Sequence, residues 1–144
     1  MRKNKNRGSQ QLRVWSDAID FYAMNSRIFG DLPYSLRRVI SQQLASTDSV
    51  HRNIAEGYCR RSIKEYIQFL YIALASLGES VSGLNACNKA GQIAADEFER
   101  LDAAAFKLEN GLLKLVGPLE VKHDDGDWVD QLMVKESNLI YECE

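Results

Sequence analysis

The side chains best equipped for chemistry in this chain are cations. Arg52, Arg60, Arg61 and Lys64 fall in one short stretch, Arg37 and Arg38 precede it, and Arg2, Lys3, Lys5, Arg7 and Arg13 form a basic leader. Clustered guanidinium and ammonium groups neutralise phosphates and release counterions, which gives salt-dependent, weakly sequence-specific contact with RNA or DNA. Tyr58 and Tyr66 lie beside the cluster, where aromatic rings can stack on unpaired bases. A second reading stays open: a solvated face, or ion pairs to Glu56, Glu65 and acids of another subunit.

The net charge of −2 conceals a division along the chain. Residues 1–61 carry eleven Lys or Arg against five Asp or Glu, and residues 62–144 carry seven against fifteen. Such asymmetry points to a polyanion-facing region with a separate acidic tail. Attraction between opposite halves within an oligomer accounts for it equally well.

No catalytic constellation emerges. A carboxylate-bridged metal pair in a helical bundle needs Glu-x-x-His motifs on two helices, and the chain has none; its histidines, His51 and His123, lie far apart. The run Asp124, Asp125, Gly126, Asp127 lacks the twelve-residue calcium-loop spacing with its terminal Glu, and reads as a solvated loop. Gly-x-Ser-x-Gly and phosphate-cradling glycine motifs are absent as well. Three cysteines, Cys59, Cys87 and Cys143, form no Cys-x-x-Cys pair, so they read as reduced thiols rather than a disulfide framework or zinc site, with Cys87 a packing residue. No enzyme, metal or cofactor is therefore expected.

The elements that must position the cations are helical. Two prolines in 144 residues, with no strand-like alternation, leave helix as the dominant pattern. A length of 144 residues with 45% hydrophobic side chains suffices for one self-supporting core. A first helix is expected over 11–29, with a stripe of Leu12, Trp15, Ile19, Tyr22, Ser26 and Phe29. Gly30, Asp31 and Pro33 end it, glycine by accepting a left-handed cap. A second helix, from about Tyr34 to Gly57, carries Leu36, Ile40, Gln43, Thr47, Val50 and Ile54, with Gly57 as its stop.

Ser62 followed by Glu65 has the form of a capping box for the third helix. That helix holds a heptad-like seam of Ile63, Ile67, Leu70, Leu74, Leu77, Val81 and Leu84. Its second stripe, Ala73, Ser76, Ser80, Gly83 and Cys87, is made of small residues and suggests contacts beyond a single bundle. Gly91 breaks it. Asp96, Glu97 and Glu99 open a fourth helix, where negative charge complements free amides. The seam there is Phe98, Leu101, Ala105, Leu108, Leu112 and Leu115, ended by Gly117 and Pro118.

Short connections between long helices dictate an all-α, antiparallel, up-down-up-down four-helix bundle. Residues 1–10 read as a flexible basic leader, 11–117 as the bundle and 118–144 as an acidic tail. In the tail Trp128, Leu132, Met133, Leu139 and Ile140 form a short amphipathic stretch that docks on its own bundle or on a neighbour. No secretory signal opens the chain, and no apolar run of about 18 residues is evident. A cytoplasmic location without membrane contact is expected.

The stretch NIAEGYCRRS over Asn53–Ser62, continued by KEYIQFLYIALASLGE over Lys64–Glu79, resembles the four-helix-bundle family of 23S rRNA-intervening-sequence proteins. That family is similar in turn to the accessory variability protein of diversity-generating retroelements. Val14, Trp15 and Ala18 support the resemblance, which spans about residues 12–116. It implies a bundle that assembles as a homopentamer, with the small-residue face of the third helix or the surface of the second as interface. From the retroelement relative it also implies nucleic acid and a reverse transcriptase as partners; a protein-binding adaptor without nucleic-acid contact is the alternative. Asn53, Glu56, Gly57, Arg60, Arg61, Ser62 and Glu65 fall on the family motif. Gly57 would close the second helix, Asn53 and Glu56 would bond across the helix junction, and Ser62 with Glu65 would cap the third. Two features depart from many relatives: Leu44 and Ala45 stand where a basic pair is common, and His51 where a proline is.

Overall fold

In the computed structural model, which describes residues 8–125, four long helices form the expected all-α four-helix bundle. They are α1 (Arg13–Gly30), α2 (Arg37–Tyr58), α3 (Ile63–Lys89) and α4 (Ala95–Asp125), with short 3-10 turns at Gly8–Gln11 and Tyr34–Leu36. Each helix packs on its neighbours in sequence and α1 closes the ring on α4. Short connections make neighbours antiparallel. One end of the bundle therefore gathers the start of α1, the α2–α3 junction and the end of α4.

The core runs the length of the bundle. Phe21, Phe29, Ile54, Leu70, Leu84, Leu101, Leu108 and Leu112 are fully buried, each contributing about 1.5–3 kcal/mol of transfer free energy. The α2 seam is the expected one, with Gln43, Thr47, Val50 and Ile54 buried, and so is α4's, with Leu101, Ala105, Leu108 and Leu112. On α1 the buried stripe lies one position off the expected one: Val14, Ala18, Phe21, Asn25 and Phe29 face inward. Leu12 and Trp15 flank it half-buried. The apolar face of α1 is broad because it meets both α2 and α4, so its centre is set by packing on two partners.

Several expected boundaries are corrected. Gly8 is buried and the Gly8–Gln11 turn packs on α1 and α2, so the packed bundle reaches into the expected leader. α1 does end at Gly30, but without a left-handed glycine; Asp31 follows in right-handed geometry and Pro33 is extended. Gly91 alone among the described residues has the left-handed backbone, φ 71°. There the Gln92 N–H donates to the Cys87 carbonyl at 2.9 Å and the Gly91 N–H to Asn88 at 3.1 Å, a Schellman cap.

Gly117 and Pro118 do not stop α4, which continues to Asp125 and takes His123, Asp124 and Asp125 into helix rather than loop. Proline removes one N–H, whose acceptor would be the Lys114 carbonyl. Lys114 and Pro118 are both exposed, so water can satisfy that carbonyl. Beyond the proline Leu119 packs on the core and Tyr71 Oη donates to Glu120 Oε1, which holds the added turns to α3. Residues 1–7 and 126–144, with Arg2, Lys3, Lys5, Arg7, the Trp128–Ile140 stretch and Cys143, lie outside the described residues.

By length and composition α3 is apolar enough to cross a bilayer, contrary to the sequence reading, and only a third of that apolar window is buried in the bundle. Its small-residue stripe is corrected too. Ala73, Ser80 and Cys87 are buried inside this bundle, and α2 is the helix that comes close. A β-carbon at Gly83 would collide with the Gln43 side chain, so the small residues serve the α2–α3 contact.

Candidate functional site

Ser62 starts the site. In extended geometry ahead of α3, its Oγ accepts the Glu65 N–H at 3.4 Å, so the expected cap is in place. The polar hydroxyl relieves one free amide of the first turn and fixes the angle at which α3 leaves α2. Gly57 has a different role from the expected stop. It lies inside α2, buried, and a β-carbon there would stand 2.6 Å from Phe69 Cβ. Glycine is required so that the two backbones can meet just before the chain turns.

Asn53 and Glu56 do not bond across the junction. Asn53 Nδ2 reaches back along α2 to the Ser49 carbonyl at 2.8 Å and to Ser49 Oγ at 2.9 Å. Glu56 Oε1 accepts from Arg60 Nη2 at 2.8 Å, one turn on. Both bonds serve the end of α2, because the i−4 position is nearer than any group on α3.

The four cations divide into two pairs. Arg52 Nε donates to Asp48 Oδ2 on the outer face of α2. Arg60, besides its bond to Glu56, lies over the Phe69 ring at 4.9 Å. Arg61 and Lys64 are exposed and, among the described residues, have no ion-pair partner. Arg13 is exposed at the start of α1, at the same end. Helix order thus collects Arg13, Arg60, Arg61 and Lys64, and the attachment point of the basic leader, on one end face. Arg37 and Arg38 stand at the other end, where the Arg37 guanidinium lies 4.8 Å over Tyr34.

The expected stacking aromatics are corrected. Tyr66 is 1% exposed and belongs to the core, and burial, with Tyr58 beside it, pushes its phenol far above the ordinary value. Tyr58 is half-buried and meets Tyr66 edge-on at 5.8 Å. Tyr66 therefore has no face to offer a base. Asp48 is held below its ordinary carboxyl value: desolvation opposes this, and hydrogen bonds from Arg52 and His51 outweigh it. His51 sits within α2 with Nε2 2.8 Å from Asp48 Oδ1 and its ring 6.0 Å from Tyr22.

Sequence reasoning missed the groove between α2 and α3. About 750 Å³ of open space is lined by Arg38, Ser41, Ala45, Ser49, Ser76 and Glu79, among others. On its floor Ser49 Oγ and Ser76 Oγ lie 2.8 Å apart, and Ser80 Oγ lies 2.9 Å from Ser46 Oγ. Ser41, Ala45 and Ser49 recur at every fourth position, a signal of a shallow helix face that the search for charged residues passed over. Ala45 is exposed on this groove, and its neighbour Leu44 is half-buried. Among the described residues no three His, Cys, Asp or Glu side chains converge as metal ligands. Burial raises the Cys87 thiol above its ordinary value, in keeping with a packing role.

A protein from Bacteroides thetaiotaomicron, of unknown function and described as of the S23 ribosomal protein family, has a crystal structure similar to this one. The TM-score is 0.66 at 18% identity, over 72% of this chain and 98% of that chain. At that identity the likeness is one of fold. No curated protein matches. Neither the family nor the structural relative is described as an enzyme. The family model of the 23S rRNA-intervening sequence protein matches residues 10–114, a span that takes in the whole α2–α3 junction, and the chain belongs to that family.

Proposed function

We propose that this protein is a non-enzymatic, homo-oligomeric helical scaffold, a pentamer in the cytoplasm, that contacts RNA or DNA through the α2–α3 junction. The observation that carries the reading is the end face where Arg61 and Lys64 stand exposed, without ion-pair partners among the described residues, beside Arg13 and Arg60. Cations already neutralised by a carboxylate gain less from a phosphate, so Arg61 and Lys64 are the primary contacts and Arg52 and Arg60 secondary ones. Self-association through the α2 surface is supported by the open groove with its small side chains, where a neighbouring helix can approach closely. Of the small stripe of α3, Ala73, Ser80 and Cys87 are already buried, and Ser76 joins this groove from the α3 side.

The test is the solution mass by light scattering at low and high salt, with nucleic-acid content read from the absorbance ratio. A salt-resistant pentamer that sheds nucleic acid at high salt is expected. The double variant Arg61→Glu, Lys64→Glu keeps the pentamer and loses RNA retention. A monomer removes the scaffold, and retention unchanged in the double variant removes the junction from the account. The log–log salt slope falls by about 1 for each phosphate that is no longer neutralised.

A further inference from the structure

Five large apolar or aromatic side chains of α3 and α4 face outward. Tyr71 and Ile72 are each 46% exposed, Leu113 51%, Val121 60% and Phe106 66%. The antiparallel register set by the Tyr71–Glu120 bond brings Leu113 level with Gly78 and Phe106 level with Asn85. Between them Ala75, Gly78 and Ser82 are exposed, and a β-carbon at Gly78 would meet nothing within 4 Å. The outer side of the α3–α4 pair is thus a shallow apolar strip with small residues along its middle. It holds part of the apolar α3 surface that the core leaves uncovered, with exposed Glu109 between Phe106 and Leu113, and exposed apolar surface of this kind marks a binding face.

We infer that the chain's own residues 126–144 cover this strip, with Trp128, Leu132, Met133, Leu139 and Ile140 against the apolar side chains of α3 and α4. Three features select this occupant. The first is position: α4 ends at Asp125, which the same register brings level with the first turn of α3, at the foot of the strip. The second is length. Nineteen residues follow Asp125, enough for about 28 Å as helix, and the strip from Tyr71 to Ala86 rises about 22 Å. Six of their apolar residues, 128 with 129, 132 with 133 and 139 with 140, recur with the spacing of one helical face, and Val134 falls outside it.

The third feature is charge. Residues 126–144 carry five carboxylates and one lysine, and α4, from which they continue, ends on the same end face as Lys64 and Arg61, the cations without ion-pair partners among the described residues. An acidic segment leaving a basic end face, with apolar residues interleaved for an apolar strip, matches the surface in charge and in apolarity. The docking needs neither nucleic acid nor a second subunit, and it stands whichever way the oligomer measurement falls. Where nucleic acid does bind, phosphates and the carboxylates of this segment contend for the same two cations.

The test is hydrogen exchange of the intact chain, without nucleic acid, followed by mass spectrometry on peptides spanning 128–140. Protection of about tenfold or more over an unstructured peptide, unchanged on dilution, is expected. Leu113→Asp, a substitution at a half-exposed position, abolishes that protection while peptides of the buried α3 seam keep theirs. Lys64→Glu weakens it, and so does added salt. Unprotected peptides in the intact chain overturn the inference. Protection that vanishes on dilution assigns the strip to a second copy and overturns it as well, and so does protection that survives Leu113→Asp.

Discussion

Gly57 and Phe69 mark the point of closest backbone approach between α2 and α3: a β-carbon on the first would stand 2.6 Å from Cβ of the second. Phe69 Cβ is fixed to its backbone, so α3 itself must move to make room. Gly57→Ala gains about 1 kcal/mol of helix propensity and loses about 1–3 kcal/mol to overpacking. A net destabilisation is expected, read as a lower urea midpoint with an unchanged slope. A midpoint equal to or above the parent's would show that the helices separate freely there.

Gln43 ties three helices together. Its Nε2 donates to Asn25 Oδ1 on α1 at 3.2 Å and to the Ser80 carbonyl on α3 at 3.0 Å, all within the core. Gln43→Leu leaves both acceptors short of a donor and is expected to cost about 1–3 kcal/mol. Adding Asn25→Leu removes one orphan, so the double variant recovers part of the loss, with a coupling of about 0.5–3 kcal/mol. Denaturant unfolding of the four proteins measures it. Strict additivity would mean that the Gln43–Asn25 bond contributes nothing.

The bundle was legible in the sequence because its periodic seams on α2 and α4 are those the core uses. On α3 the core takes Ile63, Leu70, Leu77 and Leu84 of the expected seam but puts Tyr66, Ala73 and Ser80 between them and leaves Ile67, Leu74 and Val81 half-buried. Ser62 and Gly91 announced their caps through residue type alone. The α1 stripe was displaced because Val14, Ala18 and Phe21 alternate with Trp15, Ile19 and Tyr22 on one broad face, and periodicity cannot say which edge meets two helices. Tyr66 was read as a ligand-facing ring because it neighbours Arg61 and Lys64 in sequence, whereas helical geometry turns it about 200° round α3 from Lys64, into the core. Ion pairing was equally hidden: Asp48 and Glu56 sit one turn from Arg52 and Arg60, and side-chain geometry decides which cations they occupy.

Pro118 shows how a strong local signal is overridden. The proline costs α4 one hydrogen bond, yet Leu119 on the core and Tyr71 on Glu120 hold the helix beyond it. Pro118→Ala restores a donor to the Lys114 carbonyl, a local gain of up to about 3 kcal/mol. Slower amide exchange over 119–125 is expected, with little change in the global unfolding midpoint, since the added turns lie past most of the core. Unchanged or faster exchange there would mean that the proline is no obstacle in this helix.

Asp48 sets a pH dependence whose sign follows from its partners. Its folded carboxyl lies below the ordinary value of 3.8, because the bonds from Arg52 and His51 outweigh desolvation. A depressed carboxyl contributes stability that is fully present above the unfolded value and is lost as pH falls through the folded one. The pair with Arg52 is partly exposed, with side-chain exposures of 70% and 30%, so the contribution is expected to stay within about 1 kcal/mol. Asp48→Asn should lower the thermal midpoint near neutral pH and leave it nearly equal to the parent's below the folded value, where the parent has lost the same charge. The difference between the two curves must therefore shrink as pH falls from about 5 toward 2. A constant difference across that range would assign the loss at Asp48→Asn to packing and not to the carboxylate.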